Sequence, residues 1–249
     1  MTKRELRLLT RETKLLERRL IARNKKKVKA LFLDFAKKIS VDNGLAYADN
    51  KIIVKIDYEW LLKKTRNVLE SIYLYNFDEV SSYFQNVYKK KLDRKVIAGI
   101  KDYFLNDWNK KHALEKAKFI TQTTRKKLNA VIVEAQEKGL AHKSIVERII
   151  NAAGNMSKQR ADTIARTETS TSINTTNYHI AEQAKMKKKG WIHVGGKKKD
   201  RENHKKINGL FIDLKETFDL GKGIKAKHPH ESGLPASEVV RCGCLMVFE

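Results

Sequence analysis

The sequence predicts an α+β fold: a mostly α-helical N-terminal region, then a small C-terminal α/β domain made of a long helix and a few short strands. Three observations predict it. Apolar residues recur at helical spacing as far as about residue 155. Most of the twelve glycines and both prolines fall from residue 190 onward. Short alternating, β-branched runs gather there.

Residues 1–40 read as one long helix, with Leu6, Leu9, Leu16 and Leu20 on a single stripe. Residues 41–56 carry Asp-Asn-Gly and Asp-Asn turn signals. Lys51-Ile-Ile-Val-Lys-Ile56 follows, a short strand or an early helical turn. A second helix is predicted over 57–90, with a core stripe of Trp60, Leu61, Val68, Ile72, Tyr75, Val80 and Phe84. A third spans about 92–111, with Ile97, Ile100, Phe104 and Trp108 on one side. A fourth spans 113–138 and stops at Gly139, and a fifth runs from Lys143 to Gly154. At this spacing Trp60, Tyr73, Phe84, Tyr103 and Trp108 read as core packing rather than platforms for stacked bases.

Ser157 is the expected N-cap of a helix over about 158–187. Its middle is crowded with Ser, Thr and Asn, poor helix formers that need tertiary support. Trp191-Ile-His-Val194 then reads as a strand, residues 195–200 as a turn, and 201–208 as two helical turns stopped by Gly209. Residues 210–214 and 239–248 complete the strands, around a loop-rich stretch holding both prolines. The domain organisation expected is 1–155 and 156–249.

Charge narrows the function. There are 53 Lys and Arg against 29 Asp and Glu, a net charge of +24. Residues 1–40 alone hold fourteen basic and four acidic side chains. A surface this basic is best tolerated beside a polyanion, and nucleic acid is the first candidate. An anionic membrane or an acidic protein would also serve, and solubility alone is the bland alternative. Phosphate-contact candidates are the runs Lys25, Lys26, Lys27; Lys187, Lys188, Lys189; and Lys197, Lys198, Lys199. No run approaches the roughly 18 apolar residues of a membrane span. The charged N-terminus has no secretory h-region. Two cysteines, Cys242 and Cys244, make no disulfide framework and fit a reducing cytoplasm.

Two constellations could carry chemistry. Cys242 and Cys244, two apart on the expected strand, would face one side. With His204 and His230 they would form a Cys2His2 set, the donors zinc prefers, although fingers use C-x2-4-C rather than C-x-C. Small buried cysteines and hydrogen-bonding histidines are the alternative. The second constellation is Arg166, Glu168, Asp200, Arg201 and His204. Arg166 and Glu168 do not face each other on a helix, so each must seek partners elsewhere, and the expected role is a structural polar network. An enzyme reading gives Glu168, Asp200 and His204 a metal, which would make a metal-dependent nuclease. The chain has no H-E-x-x-H, P-loop or G-x-S-x-G motif, so no catalytic residue is assigned and no cofactor is expected beyond a zinc ion.

The order of features in the tail resembles the C-terminal domain of phage Mu F-like head morphogenesis proteins. The pieces are Ala165-Arg166-Thr167-Glu168-Thr169, Trp191, Asp200-Arg201, His204, Gly209, Phe211, Pro229 and Arg241-Cys242-Gly243-Cys244. The resemblance covers about residues 156–249. It implies a minor head protein of the virion, made in the bacterial cytoplasm, in the head interior or at the portal vertex. The implied partners are the portal protein, the major capsid or scaffold protein, and double-stranded DNA bound non-specifically. The implied role lies in head morphogenesis and in DNA packaging or ejection, without catalysis and without a membrane. The chain departs from the pattern at Gly243, where Arg is common, and in lacking a cysteine pair after Asp200-Arg201.

Overall fold

A computed structural model describes residues 2–41, 45–48, 51–54, 56–194 and 200–249, and the side chains of these except 40, 41, 45–48, 51–54 and 142. Lys197, Lys198 and Lys199 lie outside the described residues. The fold is α+β and mostly helical.

Helix α1 runs over Lys3–Val41, strands β1 (Leu45–Ala48) and β2 (Lys51–Val54) pair antiparallel, and α2 spans Tyr58–Val87. The next two expected helices are one continuous run. Helix α3 (Arg94–Tyr103) passes through a π-helical stretch, Phe104–Asn109, into α4 (Lys110–Glu137). Neither Gly nor Pro stands between Gly99 and Gly139 to break it. Gly139 does end the run, at φ +59°. Helix α5 (His142–Gln183) corrects two further expectations, because Gly154 does not stop it and Ser157 lies inside it rather than capping a new helix. One interior glycine costs about 1 kcal/mol. Buried Ile149, Ala153, Met156 and Ala161 on either side outweigh it.

The tail holds β3 (Lys188–Ile192), α6 (Glu202–Lys206), β4 (Phe211–Asp213), β5 (Phe218–Asp219), β6 (Lys225–Ala226), α7 (Ala236–Val239) and β7 (Leu245–Phe248). Strand β3 lies between β4 and β7, antiparallel to both. Gly209, at φ +78°, follows α6 as the sequence suggests. The last strand is shorter than expected: residues 236–239 are helical, Arg241 sits in left-handed backbone at φ 57°, and pairing begins only at Leu245.

The chain divides into two units. Unit 1 takes Met1–Arg23, Ile72–Asn109 and Ala165–Glu249; unit 2 takes Asn24–Ser71 and Lys110–Ile164. In unit 2, Trp60 stacks on Phe35 at 6.3 Å, and Arg160 donates to Thr123 and Thr124 with its guanidinium over Phe32. Its backbone of buried side chains, Phe32, Leu61, Leu128 and Ile149, is that of a helical bundle.

Unit 1 is built around the second part of α5, where every residue from Thr167 to Tyr178 is buried. A helix buried all round normally carries apolar residues. This one carries Ser, Thr, Asn and Glu, and several of their polar atoms are spent on neighbours, although Thr175 Oγ1, Thr176 Oγ1 and Asn177 Oδ1 find none among the described residues. Tyr73 donates to Glu168, Asn76 to Ser172, and Ser170 to Glu17 of α1. Strand β7 packs Leu245 and Val247 against Leu9 and Ile192, and sets Phe248 against Phe84 and Tyr88. The β7 edge away from β3 is closed by side chains: Met246 N–H donates to Asn174 and Phe248 N–H to Tyr88. An edge satisfied in this way cannot template a further strand. Tyr73 and Phe84 are core residues as expected, whereas Tyr103 is 48% exposed. No helix among the described residues is long and apolar enough to cross a membrane.

Candidate functional site

The turn Arg241-Cys242-Gly243-Cys244 is held by its own backbone from several directions. Arg241 N–H donates to Thr167 Oγ1 at 3.2 Å. His230 Nε2 lies 3.2 Å from the Cys242 carbonyl. Lys14 donates to the Gly243 carbonyl at 2.7 Å, and Asn174 Nδ2 to the Cys244 carbonyl at 3.3 Å. Lys14 also pairs with Glu17, which accepts from Ser170. Three consecutive carbonyls are thus gripped by three elements, so the turn is fixed before any ligand arrives.

This scaffold aims both sulfurs inward. Cys244 N–H donates to Cys242 Sγ at 3.4 Å. His204 Nδ1, from α6, lies 3.5 Å from Cys242 Sγ and 3.4 Å from Cys244 Sγ. His193, just past β3, brings its Nδ1 to 3.6 Å from Cys244 Sγ. His204, Cys242 and Cys244 are all buried, and their ligand atoms lie within 4.8 Å of one another. The Cys244 thiol, then His230 and His204, hold the Cys242 thiol below its ordinary range despite burial. Beside that sulfur, and with burial, the Cys244 thiol is pushed up.

His204 is backed by a carboxylate, and a second carboxylate lies near His193. His204 Nε2 lies 2.8 Å from Glu238 Oε2, which also accepts from Asn203. His193 Nε2 lies 3.8 Å from Asp200. The Arg201 guanidinium donates to the carbonyls of Ser237 and Val240 and so holds the end of α7 that carries Glu238. Trp191 sets its ring edge-on to His204 at 5.1 Å and walls the site from the core.

Asp200, Arg201 and His204 line a small pocket with His193, Val194, Arg241, Cys242, Gly243 and Cys244. Arg166 and Glu168 are not among its lining; Arg166 is half-buried on α5, and Glu168 accepts from Tyr73 at 2.5 Å. The trio Glu168, Asp200 and His204 needed by the nuclease reading is not gathered at one place. Among the expected metal ligands, His204, Cys242 and Cys244 meet, whereas His230 turns Nε2 to a backbone carbonyl. The sequence reading missed His193, Glu238, Lys14 and Asn174. His193, two residues past Trp191, was the one within reach of a spacing argument.

The expected phosphate contacts also divide. Lys26, Lys187 and Lys188 are exposed. Lys25 pairs with Asp162, and Lys27 donates to Ser71. Lys189 is a correction, since it is buried with its amine donating to the Glu216 carbonyl at 2.6 Å, between the rings of Tyr178 and Phe218. As a residue of β3 it points under the sheet rather than to solvent. An unforeseen basic stripe lies on α1, where Arg4, Arg7, Arg11 and Arg18 are exposed. Their spacing of three, four and seven puts them on one helix face.

Residues 126–247 match the family described as "Phage Mu protein F like protein". This stretch, just under half of the chain, is similar to that family. The match begins within α4, upstream of residue 156, where the tail motifs suggested a start. The family is one of bacteriophage head morphogenesis. The chain is also similar, at 25% identity over 205 residues, to "Uncharacterized protein YqbB" of Bacillus subtilis (strain 168). That alignment covers 81% of this chain and 65% of the relative, so the chain spans about two-thirds of the relative's length. No solved structure matches the chain.

Proposed function

We propose that this Mu F-like chain is a minor structural protein of a phage head, seated in the capsid interior or at the portal vertex and contacting the packaged DNA through its phosphates. The observation that carries the reading is the family match over residues 126–247, which includes every residue of the Cys/His pocket. The DNA contact is supported by the net charge of +24 and by the exposed Arg4, Arg7, Arg11 and Arg18 face of α1, joined by Lys187 and Lys188. Contacts of this kind position a protein on the backbone and read no sequence. The portal protein and the major capsid or scaffold protein are the partners that would localise such a chain before DNA enters.

The test is incubation of the purified chain with plasmid DNA across a salt series, with and without Mg²⁺ or Mn²⁺, on native and denaturing gels. A shift that weakens steeply with salt, leaving the DNA intact, is the expected result. Cleavage that depends on the metal overturns the structural reading in favour of a nuclease. Absence of any shift at low salt overturns the DNA contact and leaves the portal as the partner to test by co-purification.

A further inference from the structure

We propose that His193, His204, Cys242 and Cys244 form a structural zinc site that fastens the end of β3, helix α6 and the Cys-Gly-Cys turn to one another. The inference goes beyond the head-protein reading and does not depend on it.

Geometry carries it. With Zn–S near 2.3 Å and Zn–N near 2.0–2.1 Å, sulfur and nitrogen on neighbouring vertices of a zinc tetrahedron stand about 3.6 Å apart. The three sulfur–nitrogen separations here are 3.4, 3.5 and 3.6 Å. His204, Cys242 and Cys244 form the triad, and His193 approaches it at Cys244 from outside the cluster, so it must move inward to complete the shell.

The surroundings are those of a metal site rather than of a thiol packed in a core. Both histidines turn Nδ1 to a sulfur, and His204 Nε2 is hydrogen-bonded to Glu238 at 2.8 Å, while Asp200 lies 3.8 Å from His193 Nε2, beyond hydrogen-bond reach. A carboxylate behind a ligating imidazole fixes its tautomer and orientation and raises its basicity. The Cys244 N–H aimed at Cys242 Sγ favours a thiolate. Two thiolates neutralise the dication and two neutral imidazoles complete the shell, while any proton still on a thiol leaves to solvent as the metal enters. Four protein ligands leave no open position, which makes the site structural.

His230 is the competing fourth ligand. Its Nε2 is taken up by the Cys242 carbonyl at 3.2 Å, whereas His193 Nδ1 already stands 3.6 Å from Cys244 Sγ. The geometry therefore assigns the vertex to His193.

The experiment titrates the full chain, stripped of metal and kept reduced, with Co²⁺ and then Zn²⁺, followed by visible and near-ultraviolet absorption. The expected result is intense tetrahedral d–d bands with thiolate-to-cobalt charge transfer, saturating at one equivalent and bleached by Zn²⁺. His193→Ala weakens the bands and shifts them, while His230→Ala leaves them unchanged. Glu238→Gln keeps the bands but lowers zinc affinity about 10- to 100-fold, read by competition with a chromophoric chelator. A folded wild-type chain, verified by circular dichroism, that shows no such bands overturns the site. Loss of the bands in His230→Ala with retention in His193→Ala overturns the assignment of the fourth ligand.

Discussion

The Asn174 amide donates to the Cys244 carbonyl at 3.3 Å, and its carbonyl oxygen accepts from the Met246 N–H at 3.1 Å. One side chain of a buried helix thereby stands in for a neighbouring strand at the start of β7. Replacing Asn174 with Ala strands a buried donor and a buried acceptor, each worth about 1–3 kcal/mol. The expected loss in urea unfolding is about 2–5 kcal/mol. Asn174→Asp keeps the acceptor for Met246 but sets an oxygen against the Cys244 carbonyl, so it must also destabilise. An Asp variant as stable as wild type would show that the donated bond contributes nothing.

Tyr73 and Glu168 make the second polar anchor of that helix, at 2.5 Å. Tyr73→Phe removes the donor and leaves a buried carboxyl oxygen with one bond fewer, a cost of about 1–3 kcal/mol. A double-mutant cycle with Glu168→Gln isolates the pair, and a coupling of at least about 1 kcal/mol is expected for groups in direct contact. Additive single mutants would sink the idea that this contact holds α5 to α2.

These anchors explain what the sequence made legible and what it hid. The helical front and the stops at Gly139 and Gly209 follow from local spacing and backbone chemistry. The crowd of Ser, Thr and Asn after Arg166 already signalled a helix that needs hydrogen-bonding neighbours. Which neighbours they are could not be read, because Glu17, Tyr73 and Asn76 lie at least 90 residues away from Glu168, Ser170 and Ser172 in the chain. The same reason hid the role of Lys14, whose partner carbonyl is 229 residues on. Gly154 and Ser157 misled for the opposite reason, since their local preference for an end or a cap is weaker than the burial of Ile149, Ala153 and Met156 around them. Glu238, like Lys14, was hidden by distance, since it meets His204 from 34 residues away.

Gly190 sits opposite Phe211 across β3 and β4, and a methyl group there would come within 2.6 Å of the Phe211 ring. The ring covers the glycine, an arrangement that seals a bare stretch of sheet. Gly190→Ala must push the ring aside and is expected to cost about 1–3 kcal/mol. Gly190→Ala combined with Phe211→Leu should recover part of that loss. Chemical denaturation of the three variants checks it, and no recovery in the double variant would mean the strain lies in the backbone instead.

The arginine face of α1 makes a prediction that salt can read. Each phosphate contact contributes about −0.9 to the slope of log affinity against log salt. Converting Arg4, Arg7, Arg11 and Arg18 to Gln should flatten that slope by about 3 to 4. Helicity by circular dichroism should hold, because these side chains are exposed. An unchanged slope would move the DNA contact to other cations of the chain.

Lys189 gives the pH dependence. Burial lowers its amine to about 8, helped by Lys227 and opposed by Glu231, Glu182 and Glu216. In the unfolded chain a lysine titrates near 10.4. Between these values the unfolded state holds a proton that the folded state has released, so stability rises with pH across that window. Below about pH 8 both states are protonated and the full penalty of burying the cation remains. Above pH 10 the unfolded tyrosines begin to ionise, while Tyr58 and Tyr83 are pushed up to about 12 in the fold and pull stability down again. The rise is therefore expected between pH 8 and 10, at no more than about 1.4 kcal/mol per pH unit. Lys189→Met should remove that slope and, below pH 8, relieve the cost of the buried charge against the loss of the bond to Glu216. Urea unfolding of both proteins from pH 7 to 10 is the measurement. Parallel curves would mean that the amine stays solvated and charged across the range.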